Sequence, residues 1–394
     1  MAEMFDEKKI IGVSTAGQSF FGNPANNGSR TVYSPDSKVV EIDIMRGNER
    51  IAALIHRGTN SRHLGNLQKN TDTQNFSNFA RVYPLAEEIG DITADEILNR
   101  NAGENPYEQR SRFTRMREKA IEHYLEHVRR LLRLFEVLSW DSLLNGQHPA
   151  ILGTTNTDLI YDFRRAATHS ITPAIPWDNV NADILGDIDG GCELVRQDGK
   201  QTPNFAFFAG DVMDAFIKNT TAQELADNRR FEFIQVGINN PVPAKLQPLV
   251  EGGATPRGRL VTPFGYELWV FTYVDDYENA TGTRVKYLPS GTVLLGYYGA
   301  RCDRYFGPPE ILPPTAQKAA WFQEMFGFNM MAPPMPPMIK NQGAVVNPAM
   351  FYVNAYPSND DKKVSICTQA APIYATTQTD AFVKLSGLIA GDES

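Results

Sequence analysis

Residues Tyr266 to Glu310 read YELWVFTYVDDYENATGTRVKYLPSGTVLLGYYGARCDRYFGPPE. Aromatic and β-branched residues crowd Tyr266 to Val274, the composition of a strand with at least one buried face. Asp275 to Gly282 is acidic and polar and carries Asn279 and Gly282, which predicts a hairpin turn. Arg284 to Leu288 then returns as a second strand. Pro289-Ser290-Gly291 turns the chain again, and Thr292 to Leu295 makes a third strand ending at Gly296. Nothing in this order looks catalytic. It reads as a meander built to bury apolar side chains.

Upstream of it lies the longest periodic segment, from about Tyr107 to Leu144. Phe113, Met116, Ala120, Ile121, Tyr124, Leu125, Val128, Leu131, Leu132, Phe135 and Leu138 recur at three and four residues, the signature of an amphipathic helix. Leu125, Val128, Leu132 and Phe135 are its expected core residues, and Asn145-Gly146 should stop it. Its charges are not arranged as sustained heptads, so a coiled coil is not expected.

The segment before the helix is polar. Residues 1–37 are rich in Gly, Asn and Ser and should bury little, as an extended arm. Val40, Ile42 and Ile44 then alternate with Glu41 and Asp43, as in a half-buried strand. The run from Arg57 to Asn75, RGTNSRHLGNLQKNTDTQN, is almost free of apolar residues, and Phe76, Phe79, Val82 and Tyr83 resume the pattern. A strand pair with so long a polar tip either carries a solvated loop or reaches another subunit. The tip residues Arg57, Arg62, His63 and Lys69 are the contact candidates. Thr93-Ala94-Asp95-Glu96 reads as a capping box before a short helix.

Beyond the helix, Asp158 to Phe163 reads as a strand. Phe205 to Ala209 reads as an apolar run before a helix with Asp211 at its N-cap, and Thr221 to Glu224 as a second cap. Phe231 to Val236, Ala349 to Ala355, Val364 to Thr368 and Ala381 to Leu385 read as further strands. Residues 307–345 are rich in Pro and Met, with an extended Pro333 to Met338. The pattern is α+β.

The chain has 394 residues, 42% hydrophobic and 21% charged, with a formal net charge of -8, values of a folded protein that does not grip nucleic acid through phosphates. Cys192, Cys302 and Cys367 lie far apart without a CxxC pair, which points to buried thiols rather than a disulfide or zinc framework. The polar N-terminus is unlike a signal peptide, and no apolar run approaches the ~20 residues of a membrane span.

Several motifs invite a chemical reading. His123-Tyr124-Leu125-Glu126-His127 matches H-x-x-E-H, and two histidines four apart share a helix face as in a zinc site. Both lie away from the centre of the apolar stripe, beside Arg130, and no third ligand is signalled, so a solvated face is the expected reading. Asp187-Ile188-Asp189-Gly190 fails as a calcium loop, because its closing position is Arg196, and reads as a turn. His56, His63, His148 and His169 are isolated, with a surface or core position as the default. There is no Walker loop, no G-x-G-x-x-G and no G-x-S-x-G. No cofactor or metal is expected, and the chain is not read as an enzyme.

Taken in order, Ser19-Phe20-Phe21, VVEIDIMRGNERIA, Trp140 to Gly146, Tyr161-Asp162-Phe163-Arg164, Trp177, YLPSGTVLLG to Arg301, Gln369 to Pro372 and Asp380-Ala381-Phe382 resemble the major capsid protein E family of tailed bacteriophages. This is the lambda-like branch of the Hong Kong ninety-seven-type capsid fold. The resemblance runs over roughly residues 15–390. It implies an N-terminal arm (1–37), an E-loop (38–84), a peripheral domain with the spine helix (85–149), and an axial domain with its connecting meander (150–306). A Pro/Met-rich insertion (307–345), longer than the family pattern, and C-terminal strands returning to the peripheral domain (346–394) would complete it. It further implies self-assembly as hexamers and pentamers into an icosahedral shell around double-stranded DNA, without sequence-specific binding or a membrane. Portal, scaffolding and decoration proteins would be partners, and the shell would form in the bacterial cytoplasm and end in the virion. Two other readings stand beside it. One is a metal-dependent hydrolase using His123, Glu126 and His127. The other is a non-viral shell protein of the same fold.

Overall fold

The computed structural model describes residues 13–26, 28–34, 38–45, 76–93, 112–149, 160–219, 231–233, 242–279, 282–308, 350–357 and 363–390. The tip residues Arg57, Arg62, His63 and Lys69, the cap beyond Thr93, the cap at Thr221 and most of the Pro/Met-rich stretch lie outside them.

In chain order the strands begin with β1 (Thr31–Tyr33), β2 (Val39–Met45), β3 (Phe76–Val82) and β4 (Ala86–Thr93), followed by helix α1 (Arg112–Asn145). Next come β5 (Gln147–Pro149), β6 (Ile160–Asp162), β7 (Ser170–Ile171), α2 (Ile184–Gln197), β8 (Phe205–Phe208), α3 (Gly210–Lys218) and β9 (Phe231–Phe233). The one-turn α4 (Gln247–Glu251) precedes β10 (Thr255–Val261), β11 (Glu267–Thr272), β12 (Asp276–Glu278), β13 (Arg284–Lys286), β14 (Val293–Gly296) and β15 (Cys302–Phe306). The chain closes with β16 (Tyr352–Pro357), β17 (Lys363–Ala370), β18 (Pro372–Thr376) and β19 (Phe382–Leu385).

The centre is a seven-stranded mixed sheet in the order β7-β19-β14-β8-β11-β10-β9. The meander expected over Tyr266 to Gly296 is therefore not one. β8 lies between β14 and β11, antiparallel to the first and parallel to the second. The physical reason is the sequence of β8, Phe-Ala-Phe-Phe, fully buried at every position. Such a strand belongs where both faces are covered. Asp275 to Gly282 is likewise not all turn: β12 pairs with β13 in a separate hairpin closed at Asn279 to Thr283.

Each face of this sheet has its own cover. Phe205 and Phe207 face Phe20, and Phe207 also meets Trp140 of α1 edge-on at 5.3 Å. Phe208 faces Trp177 and Phe216 on the other side. There α2 presses against the sheet so closely that a Cβ on Gly191 would lie 2.7 Å from Leu295. The stretch Asp187 to Gly190, expected as a turn, is inside α2. Asp183 caps that helix by accepting from the Gly186 N–H at 3.0 Å, and Ile184, Ile188, Cys192 and Val195 form its buried stripe. Asp211 is not the N-cap of α3. That position is Ala209, and the Asp211 carboxylate instead accepts from the Gly291 N–H at 2.7 Å.

Two smaller assemblies flank the sheet. β18, absent from the sequence reading, pairs with β15, which pairs in parallel with β1. Val40, Ile42 and Ile44, on one face of the β2–β3 hairpin, are buried in a cluster with Tyr305, Ile373 and Ala375 of β15 and β18. The sheet β16-β17-β4 covers the first half of α1 through a small cluster of Ile92, Ala120, Val353, Ala355 and Ile366.

Helix α1 has 34 residues, about 50 Å at ~1.5 Å per residue. Val128, Leu132 and Phe135 are buried, and Leu125 is half-buried. Its end is fixed twice. Gly146 has φ +64°, the left-handed conformation that glycine adopts freely. Arg165 then donates to the Leu144 carbonyl at 2.8 Å and the Leu143 carbonyl at 2.5 Å, a cation placed on the negative end of the helix dipole.

Candidate functional site

The polar centre of the molecule is Glu136, which interrupts the apolar stripe of α1 between Leu132 and Trp140. It is fully buried and accepts four hydrogen bonds, from Gly17 N at 2.7 Å, Gln18 N at 3.1 Å, Trp140 Nε1 at 2.8 Å and the Tyr273 hydroxyl at 2.9 Å. Burial pushes its carboxyl up to about 7, against the pull of these four donors. One carboxylate thus ties together the N-terminal segment, the long helix and the residue that follows β11.

A second buried carboxylate fastens the same segment further along. Asp303 on β15 accepts from the Arg30 N–H at 2.9 Å, from the Arg301 guanidinium at 3.0 Å and from the Tyr305 hydroxyl at 3.2 Å. Backbone bonds complete the fastening: Gly22 N to the Cys302 carbonyl at 2.9 Å and Thr15 N to the Gly252 carbonyl at 3.0 Å. The described part of residues 1–37 therefore corrects the expectation of an arm that buries little. Ala16, Phe20 and Phe21 are core residues. The Gly, Asn and Ser content serves tight turns and exposed backbone donors there, and two aromatic rings supply the burial.

The H-x-x-E-H segment is also corrected. His127 is buried, with Nδ1 at 3.2 Å from the Thr368 hydroxyl of β17, and its face of the helix is covered by β4 and β17 rather than solvated. The His123 and His127 rings are 6.2 Å apart, and Glu126 turns away to Arg130 at 3.2 Å. Among the described residues, no group of three His, Cys, Asp or Glu side chains is placed to hold a metal ion. His148 and His169 are core histidines. The first stacks on Tyr161, and the second lies between the Phe382 carbonyl and the Asp198 carboxylate. All three cysteines are free and buried. No helix among the described residues is long and apolar enough to cross a membrane.

Sequence reasoning missed Glu136 and Asp303. A signal existed for the first, since a carboxylate inside an apolar helical stripe is costly unless it has partners. Its partners, separated from it by more than a hundred positions in each direction for Gly17 and Tyr273, carried none.

The arrangement is a long helix buttressed by a mixed central sheet and two smaller sheets, with its polar groups spent on fastening segments together. Comparison with known proteins identifies this arrangement as the α+β phage major capsid fold, of Hong Kong ninety-seven type. A candidate capsid protein of a prophage in Escherichia coli CFT073 superposes with a TM-score of 0.59 over 98% of this chain and 96% of that one, at 13% identity. Weaker likenesses include a phage-related protein from Bordetella bronchiseptica RB50, with TM-score 0.43, 9% identity and 98% and 95% coverage. The mature capsid of bacteriophage PhiM1 follows, with TM-score 0.42, 11% identity and 90% and 84% coverage. By sequence, no curated protein matches. The profile of the phage major capsid protein E family matches residues 25–386, most of the chain. The chain belongs to that family. It is a structural component of the phage virion.

Proposed function

We propose that this chain self-assembles, as hexamers and pentamers, into a closed icosahedral shell that encloses double-stranded DNA without reading its sequence. The family match over residues 25–386 is the observation that carries this reading. The fold supplies suitable parts. Helix α1 is the spine, and residues 85–149 with β16 and β17, the strands after 346 that pair with β4, make a peripheral domain. Residues 150–306 hold the axial domain around the central sheet, which β19, also after 346, joins. The β2–β3 hairpin is the base of an E-loop whose tip, Arg57 to Asn75, lies across a neighbouring subunit. A net charge of -8 suits a container whose polyanionic content must enter and leave. Portal, scaffolding and decoration proteins are the further partners of such a shell, which would be built in the host cytoplasm. The described His123, Glu126 and His127 geometry gives no support to the hydrolase reading.

The E-loop assignment has a direct test. The polar tip has almost no apolar side chains with which to order itself by burial, whereas a neighbour's surface could offset its ordering entropy. Trypsin should cut isolated subunits at Arg57, Arg62 or Lys69 well before it attacks α1, and the same sites should be protected in assembled shells. Timed digests read by mass spectrometry report both states. Equal cleavage rates in the two would make the tip a solvated flap.

A further inference from the structure

The histidine pair of α1 is not used by the assembly reading, yet it sits at a mechanical joint. The β16-β17-β4 sheet leans on the first half of α1 through the small cluster around Ile366, whereas the second half of α1 is embedded in the main core. Between the two, His123 and His127 press on Gly90 of β4. A Cβ at that position would lie 2.9 Å from His123 Nδ1 and 2.9 Å from His127 Nε2. On β17, the strand next to β4, Thr368 meets His127 Nδ1 at 3.2 Å. The sheet is thus seated on two imidazole rings with no room for a side chain between.

We infer that His127 forms a proton-sensitive joint, which seats the β16-β17-β4 sheet on α1 when its ring is neutral and loosens it when the ring is protonated.

The surroundings favour loosening over a new ion pair. The charged groups near the rings are Glu88 and Asp91 from β4, and Glu126 and Arg130 from α1 itself. Glu88 and Glu126 are both held by Arg130, each at 3.2 Å, and Asp91 is held by Lys363 of β17 at 2.9 Å. Every carboxylate that could receive a new imidazolium already has a cation. Arg130 and the neighbouring ring add repulsion. Burial, the largest influence, holds His127 below its ordinary value. The sign follows: the folded chain binds this proton less readily than the unfolded one. Stability at the joint is full above about pH 6.5 and is lost as pH falls below it. In the main core Glu136 responds with the opposite sign, whereas buried His148, stacked on Tyr161 in a separate cluster, responds with the same sign as His127. Loosening of the joint is therefore measured against β8 of the main core, not against the chain as a whole.

Hydrogen exchange on the purified full chain tests this. Between pH 7.5 and 5.5, after correction for intrinsic rates, peptides covering residues 86–93 and 363–370 should lose protection relative to a peptide covering 205–208. The loss should be severalfold and at most about tenfold, the ceiling for one proton on a group whose ordinary value is about 6.5. In His127→Gln, whose amide can still meet Thr368 but cannot take a proton, that loss should shrink severalfold. No loss in the natural chain, or an equal loss in His127→Gln, overturns the inference. If His127→Gln does not fold, exchange at the imidazole C2 position of the natural chain decides instead. A His127 midpoint below 6.5 that coincides with sheet opening supports the joint, and a midpoint at or above 6.5 overturns it.

Discussion

Replacing Phe135 with alanine should lower the stability of the chain by about 3–5 kcal/mol, the range for deleting a buried aromatic ring. Phe135 is fully buried and stacks on Phe351 at 5.5 Å with an interplanar angle of 2°. It also meets Phe306 and Tyr374 at 5.9 Å each. These three rings come from β15, from the approach to β16 and from β18, so each is fixed by its own backbone. A cavity walled by three independent segments collapses poorly, which places the cost at the upper end of the range. Denaturant unfolding of the purified variant gives the number, and the yield of soluble protein shows its consequence. An unchanged midpoint and normal yield would mean that this stretch of α1 is not the keel of the core.

The second large effect belongs to Glu136. Glu136→Leu would leave the donors of Gly17, Gln18, Trp140 and Tyr273 buried without an acceptor. We expect a loss of about 3 kcal/mol or more, since each buried donor left without an acceptor costs about 1–3 kcal/mol. The N-terminal segment should then become the first part of the chain cut by protease. Glu136→Gln separates the charge from the contacts. Its carbonyl can keep the three donors at one oxygen, while its NH2 group opposes the Gln18 N–H, costing about 1–3 kcal/mol.

The pH dependence has a definite sign. The Glu136 carboxyl titrates near 7 in the folded chain and near 4.5 when unfolded, so in that interval only the folded state holds the proton. Its contribution to stability is therefore greatest on the acid side and declines as pH rises from about 4.5 through about 7. The total amounts to about 3 kcal/mol at ~1.4 kcal/mol per unit. The natural chain minus Glu136→Gln, each unfolded in denaturant at pH 5 and pH 8, isolates that slope from all other groups. A flat difference would show that the four donors keep Glu136 ionised throughout.

What the sequence discloses and what it hides divide along physical lines. Helix α1 was legible because three- and four-residue spacing is a local property, and Gly146 marks its end for a local reason. The alternation in Val40, Ile42 and Ile44 was legible in the same way, and the structure buries that face. Strand order is not local. Nothing between Tyr266 and Gly296 says that Phe205 to Phe208 inserts between two of its strands. The four-residue β8 gives too short a period to reveal its place. The N-terminal segment misled for a related reason. Its composition suits a peripheral arm, but Gly17 is bonded to Glu136 and Arg30 to Asp303, pairings 119 and 273 positions apart. Asp187 to Gly190 read as a turn, yet it lies inside α2, where the next residue, Gly191, lets the helix approach Leu295. Glu136 itself could have been suspected from its position in an apolar stripe. Of its four partners only Trp140, one turn along the same helix, is local; the other three could not be read.

The central claim, that this family member builds a closed shell from copies of itself, is tested most directly by negative-stain electron microscopy of the expressed chain. Closed particles of uniform diameter, or tubes of regularly arranged capsomers, are the predicted result. Dispersed single subunits, unchanged across concentration and salt and with a scaffolding protein supplied, would contradict it.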